Sequence, residues 1–141
     1  PRFLSVEMQQ FGAPESLGAR DVAALAALRK KGVRLSLDRF GSSASIAQLR
    51  RLSVDEIMVD ASFSRDLEKD ATVQAMLLGI GDVARRLRLN CVACGVDNAQ
   101  QASFLKKNGW DQAQGLIFGE PLTGIHFAAK WLARTGKPRV G

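Results

Sequence analysis

Short apolar runs that stop at a polar residue recur along the chain, and each is followed by a stretch with helical spacing. Phe3-Leu4-Ser5-Val6 stops at Glu7, Val33-Arg34-Leu35-Ser36-Leu37 at Asp38, Ile57-Met58-Val59 at Asp60, and Cys91-Val92-Ala93 at Cys94. A weaker run, Asp111-Gln112-Ala113, stops at Gln114-Gly115. Short runs of this kind, bounded by polar and turn residues, are strand signals. Between them the spacing becomes helical. Val22, Leu25 and Leu28 fall on one face of a helix predicted over Asp21–Lys31, which closes on basic residues before Gly32. Val73, Met76, Leu77, Ile80, Val83, Ala84 and Leu87 line one face of a helix predicted over Ala71–Leu89. Ser45–Leu52 predicts a short helix, Ala99–Lys107 a helix stopped by Asn108-Gly109, and Ile125–Leu132 a final amphipathic helix.

Strands alternating with helices pair in parallel through right-handed crossovers. This pattern leaves two α/β architectures open: a doubly wound sheet and part of a barrel. No glycine-rich phosphate loop follows the first strand, which counts against a dinucleotide-binding sheet. In both architectures ligands collect at the C-terminal ends of the strands, where Glu7, Asp38, Asp60 and Gln114 are expected. Carboxylates gathered on one rim repel each other unless a cation or hydrogen-bond donors offset them. The recurring set therefore predicts a present or former metal site, although a single Asp at such a position can simply cap the next helix.

Composition narrows the function classes. With 141 residues, 46% of them hydrophobic, the chain can bury a core. The longest apolar stretches, such as Val22–Leu28, are too short to span a bilayer. No secretory signal pattern opens the sequence, and its abrupt start in strand-like residues points to a piece of a larger protein. Twenty Lys and Arg against 14 acids give a net charge of +6. These cations read as dispersed over helix surfaces, in Arg29-Lys30-Lys31, Arg50-Arg51, Arg85-Arg86 and Lys106-Lys107. They fit a solvated basic face or attraction to a phosphate-bearing ligand. With two Trp and no Tyr there is no base-stacking platform, so nucleic acid is not an expected partner. Cys91 and Cys94 have metal-like spacing, but the only histidine is the distant His126. Residues three apart on a strand also point to opposite faces. Two reduced thiols in a cytoplasmic protein are expected instead.

Several segments resemble the EAL family of cyclic-di-GMP phosphodiesterases. Leu35-Ser36-Leu37-Asp38-Arg39-Phe40-Gly41 is similar to the family's Leu-Ala-Leu-Asp-Asp-Phe-Gly. Val54–Phe63 is similar to Val-Asp-Glu-Leu-Lys-Ile-Asp-Arg-Ser-Phe, and Cys91–Asn98 to Val-Val-Ala-Glu-Gly-Val-Glu-Thr. Gln114–Leu122 is similar to Gln-Gly-Tyr-Leu-Phe-Gly-Arg-Pro-Leu. The segments occur in family order. The resemblance implies the C-terminal part, about five βα units, of a modified TIM-type (β/α) barrel, with the front of the domain preceding Pro1. Residues 1–135 are expected to form this portion and 136–141 a loose tail.

In active members the resemblance implies two divalent ions that activate water, held by carboxylates, an Asn and a Gln, with a Lys assisting. Here Glu7, Asp38 and Gln114 match metal ligands, so Mg2+ or Mn2+ is the ion implied if a site survives. The second Asp is Arg39, the Lys is Met58 and the Glu of Ala-Glu-Gly is Cys94. Asp97 replaces a later Glu, Gln10 replaces a supporting Glu, and the loop Ser42–Ile46 is one residue short. These replacements imply a non-catalytic cyclic-di-GMP receptor or relay with no required cofactor. Arg39, Asp97, Glu120 and Pro121 are the expected nucleotide contacts. Two other readings remain open: a module that binds only a protein partner, and a working phosphodiesterase.

Overall fold

The computed structural model describes residues 4–9, 18–110 and 112–132. The elements are β1 (Ser5–Met8), α1 (Ala19–Lys30), β2 (Arg34–Phe40), α2 (Ile46–Leu49), β3 (Glu56–Val59), α3 (Ala61–Asp66), α4 (Ala71–Leu87), β4 (Asn90–Cys94), α5 (Ala99–Lys107), β5 (Gln112–Gln114) and α6 (Gly124–Phe127). The five strands form one parallel sheet in the order β1-β2-β3-β4-β5, so every connection is a crossover to the next strand. Gln10, Asp111 and the tail expected at 136–141 lie outside the described residues.

Alternation within the strands sorts the two sheet faces. Val6, Met8, Leu35, Leu37, Ile57 and Cys91 face the helices and pack with Val22, Leu25, Leu49, Ile80 and Ala84. Val59, Ala93 and Ala113 continue that layer against Leu67, Leu77, Leu105 and Trp110. Full burial of one such side chain is worth about 1.5–3 kcal/mol. Cys94 lies three residues beyond Cys91 and takes the opposite face.

The helix boundaries follow local chemistry. α1 stops where Gly32 adopts a φ of +85°. Asp70 caps α4 by accepting from the Thr72 amide at 2.7 Å. α4 ends earlier than its periodicity predicts, because Arg88 turns left-handed with a φ of +57°. α3 has no counterpart in the hydrophobic pattern. It is too short to show a period, and the Asp60 cap defines it. The expected last helix divides into α6 and a wider-wound turn, Ala128–Leu132. The helical apolar faces are also less completely buried than their spacing predicts. Met76, Leu87 and Leu28 are 52%, 53% and 37% exposed, and Ile125 is 82% exposed.

The largest departure is in β2. The predicted strand stops at Leu37, yet the observed one continues through Asp38 and Arg39 to Phe40. The register Leu37↔Ile57 becomes Phe40↔Val59, so β2 holds an extra residue opposite β3. This is a β-bulge, and Arg39 sits in it with a φ of +55°. A left-handed conformation costs a non-glycine residue about 1–2 kcal/mol. The compensation is visible in the next turn. The Arg39 carbonyl accepts from the Ser42, Ser43 and Ala44 amides at 3.2, 3.2 and 3.1 Å.

Candidate functional site

The sheet face turned away from the helices carries Glu7 on β1, Asp38 on β2, Met58 on β3, Cys94 on β4 and Gln114 on β5. All lie toward the C-terminal strand ends, as the spacing predicts. Glu7, Asp38 and Gln114 are inside their strands rather than just beyond them, whereas Asp60 directly follows β3. Cys94 pairs in register with Gln114, and Met58 pairs with Val92, one inward-facing step below Cys94. Met58 is buried.

The bulge aims Asp38 and Arg39 at this rim. Asp38 accepts from the Gln9 side-chain amide at 2.7 Å and from the Arg39 backbone N–H at 2.7 Å. Arg39 donates through Nε to Asp60 at 3.3 Å, with its side chain 48% exposed. Its Nη1 and Nη2 have no hydrogen-bond or ion-pair partner among the described residues.

Asp60 is the most heavily solvated carboxylate of the rim by protein groups. It accepts from the Ser62 amide at 2.9 Å and from the Ser42 hydroxyl at 2.7 Å. The Ser62 amide, working against partial burial and joined by the Ser62 and Ser42 hydroxyls and Arg39, holds the Asp60 carboxyl well below the usual carboxylate range. Neither Ser42 nor Gln9 was singled out as a partner by sequence. Their contacts span 18 and 29 residues, and no local pattern reports such pairing.

Cys94 reports the field of the rim. Burial, followed by the charges of Asp38, Glu7, Asp60 and Glu56, pushes its thiol up to about 11. Glu7, Asp38 and Asp60 therefore act on one neighbourhood, although β1 and β5 lie at opposite ends of the sheet. Ser36 is fully buried on the same face, and its hydroxyl has no hydrogen-bond partner among the described residues.

The expected nucleotide contacts on the far strands have other local roles. The Asp97 carboxylate accepts from the Leu116 amide at 3.0 Å and so ties the segment after β4 to the turn after β5. The same two segments meet through the Val96 amide and the Gln114 carbonyl at 3.0 Å. A Cβ on Gly115 would fall on the Val96 backbone, so only glycine fits this junction. Glu120 and Pro121 follow that turn and are exposed.

Among the described residues no three His, Cys, Asp or Glu side chains come together in a metal-holding group. Arg39 stands where the resemblance implies a second acidic ligand, and the half-buried Cys94 stands where it implies a Glu. Among the described residues no helix is long and apolar enough to cross a membrane.

Comparison with known proteins places this geometry in context. A family model described as EAL domain matches residues 1–121. The chain is 36% identical over 104 residues to cyclic di-GMP phosphodiesterase PdeR of Escherichia coli K12, covering 73% of this chain and 16% of that protein. It is 41% identical over 96 residues to cyclic di-GMP phosphodiesterase NbdA of Pseudomonas aeruginosa PAO1, covering 67% and 12%. The solved PaMucR phosphodiesterase in its c-di-GMP complex superposes with a TM-score of 0.80 at 29% identity, covering 90% of this chain and 51% of that one. An EAL domain protein from Listeria monocytogenes EGD-e superposes with a TM-score of 0.84 at 27% identity, covering 94% and 52%. The chain thus spans about half of each solved chain and 16% and 12% of the two curated relatives. Its α/β sheet is a partial, C-terminal segment of a TIM-type barrel.

Proposed function

The chain belongs to the EAL domain family, and from that premise we propose that it is a degenerate member that serves cyclic-di-GMP signalling in the cytoplasm as a non-catalytic receptor or relay. One observation carries this reading. Arg39 stands at the rim, anchored through Nε to Asp60, with its Nη atoms free of partners among the described residues. A guanidinium oriented in this way can take a phosphate oxygen through two parallel N–H groups. It then supplies the positive charge that a metal ion provides in an active member. Glu7, Asp38 and Gln114 remain as remnant ligands, and neither Mg2+ nor Mn2+ is required for binding. Asp97, Glu120 and Pro121 border the rest of the nucleotide.

The same residues argue against turnover. Met58 cannot exchange a proton, Arg39 repels a second cation, and a neutral Cys94 is a poor hard-metal ligand. Loss of each acid–base or electrostatic group typically costs about 10²–10⁴ in rate.

Calorimetric titration of the intact protein with cyclic di-GMP, with and without Mg2+ or Mn2+, tests the reading, together with a search for linear product. Metal-independent binding without product is expected. Arg39→Ala should weaken binding by about 1.5–3 kcal/mol. Unchanged affinity in that variant rejects the phosphate role, and turnover by repurified protein overturns the non-catalytic assignment.

A further inference from the structure

The cations that look dispersed in sequence meet at one end of the fold. In a βα repeat the long crossover helices, here α1, α4 and α5, run back toward the N-terminal ends of the strands, so their C-termini reach the same side. Lys30 and Lys31 close α1, Arg88 follows α4, and Lys106 and Lys107 close α5. Hydrogen bonds hold the strand entrances together at this end. The Asn90 amide donates to the Asp55 carbonyl at 3.0 Å, and the Arg34 amide to the Leu4 carbonyl at 3.0 Å.

A helix dipole favours a cation in each last turn, which explains part of the placement. It does not explain the shortage of acids. Of the acids at this end, Asp55 is already paired with Arg29 and Asp82 with Arg85 and Arg86, which leaves only the half-buried Glu56 at the start of β3 without an ion pair among the described residues. Lys30, Lys31, Arg88, Lys106 and Lys107 are exposed and have no ion pair among the described residues. The opposite rim carries Glu7, Asp38 and Asp60, so charge is separated along the strand direction.

We propose that this basic end docks on an anionic lipid surface. Cations at the ends of three crossover helices, spread along one end of a parallel sheet, suit a flat, extended negative surface; an acidic peptide would engage only one or two of them. Leu28 and Leu87, 37% and 53% exposed, stand beside the α1 and α4 clusters and supply apolar contact at such an interface. Docking turns the rim with Glu7, Asp38 and Arg39 toward solution. It does not depend on whether that rim binds a nucleotide.

Sedimentation of the chain with lipid vesicles tests the proposal. Vesicles with about 30% phosphatidylserine should capture it at about 0.1 M salt, release it at about 0.5 M, and be preferred to pure phosphatidylcholine. Each cation removed should lower partitioning roughly fivefold, from about 1 kcal/mol per basic residue at an anionic surface. Lys30→Ala with Lys31→Ala, or Lys106→Ala with Lys107→Ala, should each release most of the bound protein. A control with the same charge change away from this end, Arg20→Ala with Arg65→Ala, should bind almost as the parent does. Circular dichroism checks the fold of each variant. Equal loss in the control overturns the proposal, as does equal binding to neutral vesicles. Absence of vesicle binding at low salt by the unsubstituted chain also overturns it, and capture by soluble polyglutamate in that case identifies an acidic protein partner instead.

Discussion

Replacing Asp60 by alanine removes an acceptor that serves donors from three directions. Its carboxylate caps α3 through the Ser62 amide at 2.9 Å, receives the Ser42 hydroxyl at 2.7 Å, and pairs with Arg39 Nε at 3.3 Å. Loss of an N-cap costs about 0.5–2 kcal/mol. The ion pair adds about 0–1 kcal/mol, at the low end because the Arg39 side chain is 48% exposed. Together with the lost Ser42 hydrogen bond, Asp60→Ala should cost about 1.5–3 kcal/mol. Asp60→Asn keeps a capping oxygen and discards the charge, so it should cost only about 0–1 kcal/mol. Urea unfolding of both variants, and of Arg39→Ala combined with each, separates the cap from the pair. The coupling between Arg39 and Asp60 should not exceed about 1 kcal/mol. The sign of the pH dependence follows from the depressed carboxyl. Its stabilising contribution is complete above the unfolded pKa of about 3.9 and is lost as pH falls toward the lower folded value. Asp60→Ala should therefore flatten the acid limb of the stability curve. A cost below about 0.5 kcal/mol for Asp60→Ala, or an acid limb unchanged by it, would refute the three-donor account.

Other outcomes follow from packing and burial. Gly115→Ala places a methyl group on the Val96 backbone and should cost at least about 2–3 kcal/mol, read by chemical unfolding; a neutral effect would mean that the junction after β5 is looser than described. Leu77→Ala empties a fully buried position in the core beside α4 and should cost about 2–5 kcal/mol in the same assay. Burial pushes the Cys91 thiol up to about 12 and the Cys94 thiol to about 11. Alkylation at pH 8 should be at least about a hundredfold slower in the folded chain than in denaturant. Stability should fall as pH rises above about 8.5, where unfolded thiols ionise and folded ones do not.

The alternation of strands and helices was legible because it depends on local periodicity. The Val73–Leu87 stripe predicted α4 to within two residues of its end, and Asn108-Gly109 stopped α5 as expected. The ordered segments around Asp38, Asp60, Cys94 and Gln114 carried the family, and the resemblance alone implies that Arg39, Met58 and Cys94 depart from its pattern. A six-residue helix such as α3 escaped because it has no measurable period and its cap is a single Asp.

By itself, then, the sequence determined the order of elements, their parallel pairing and the residue types available at the rim. Tertiary structure decided what those residues do. The bulge that takes Arg39 to a φ of +55° depends on registering β2 against β3, which lie about 20 residues apart along the chain. Only that register brings Arg39 to Asp60 and leaves its Nη atoms open among the described residues. Asp97 became a tether for the Leu116 amide because two loops meet across β4 and β5. Cations scattered through the sequence became one basic end because every crossover helix returns to the same side of the sheet. Local spacing encodes which face a side chain occupies; contacts between strands and loops depend on how the chain closes over distance.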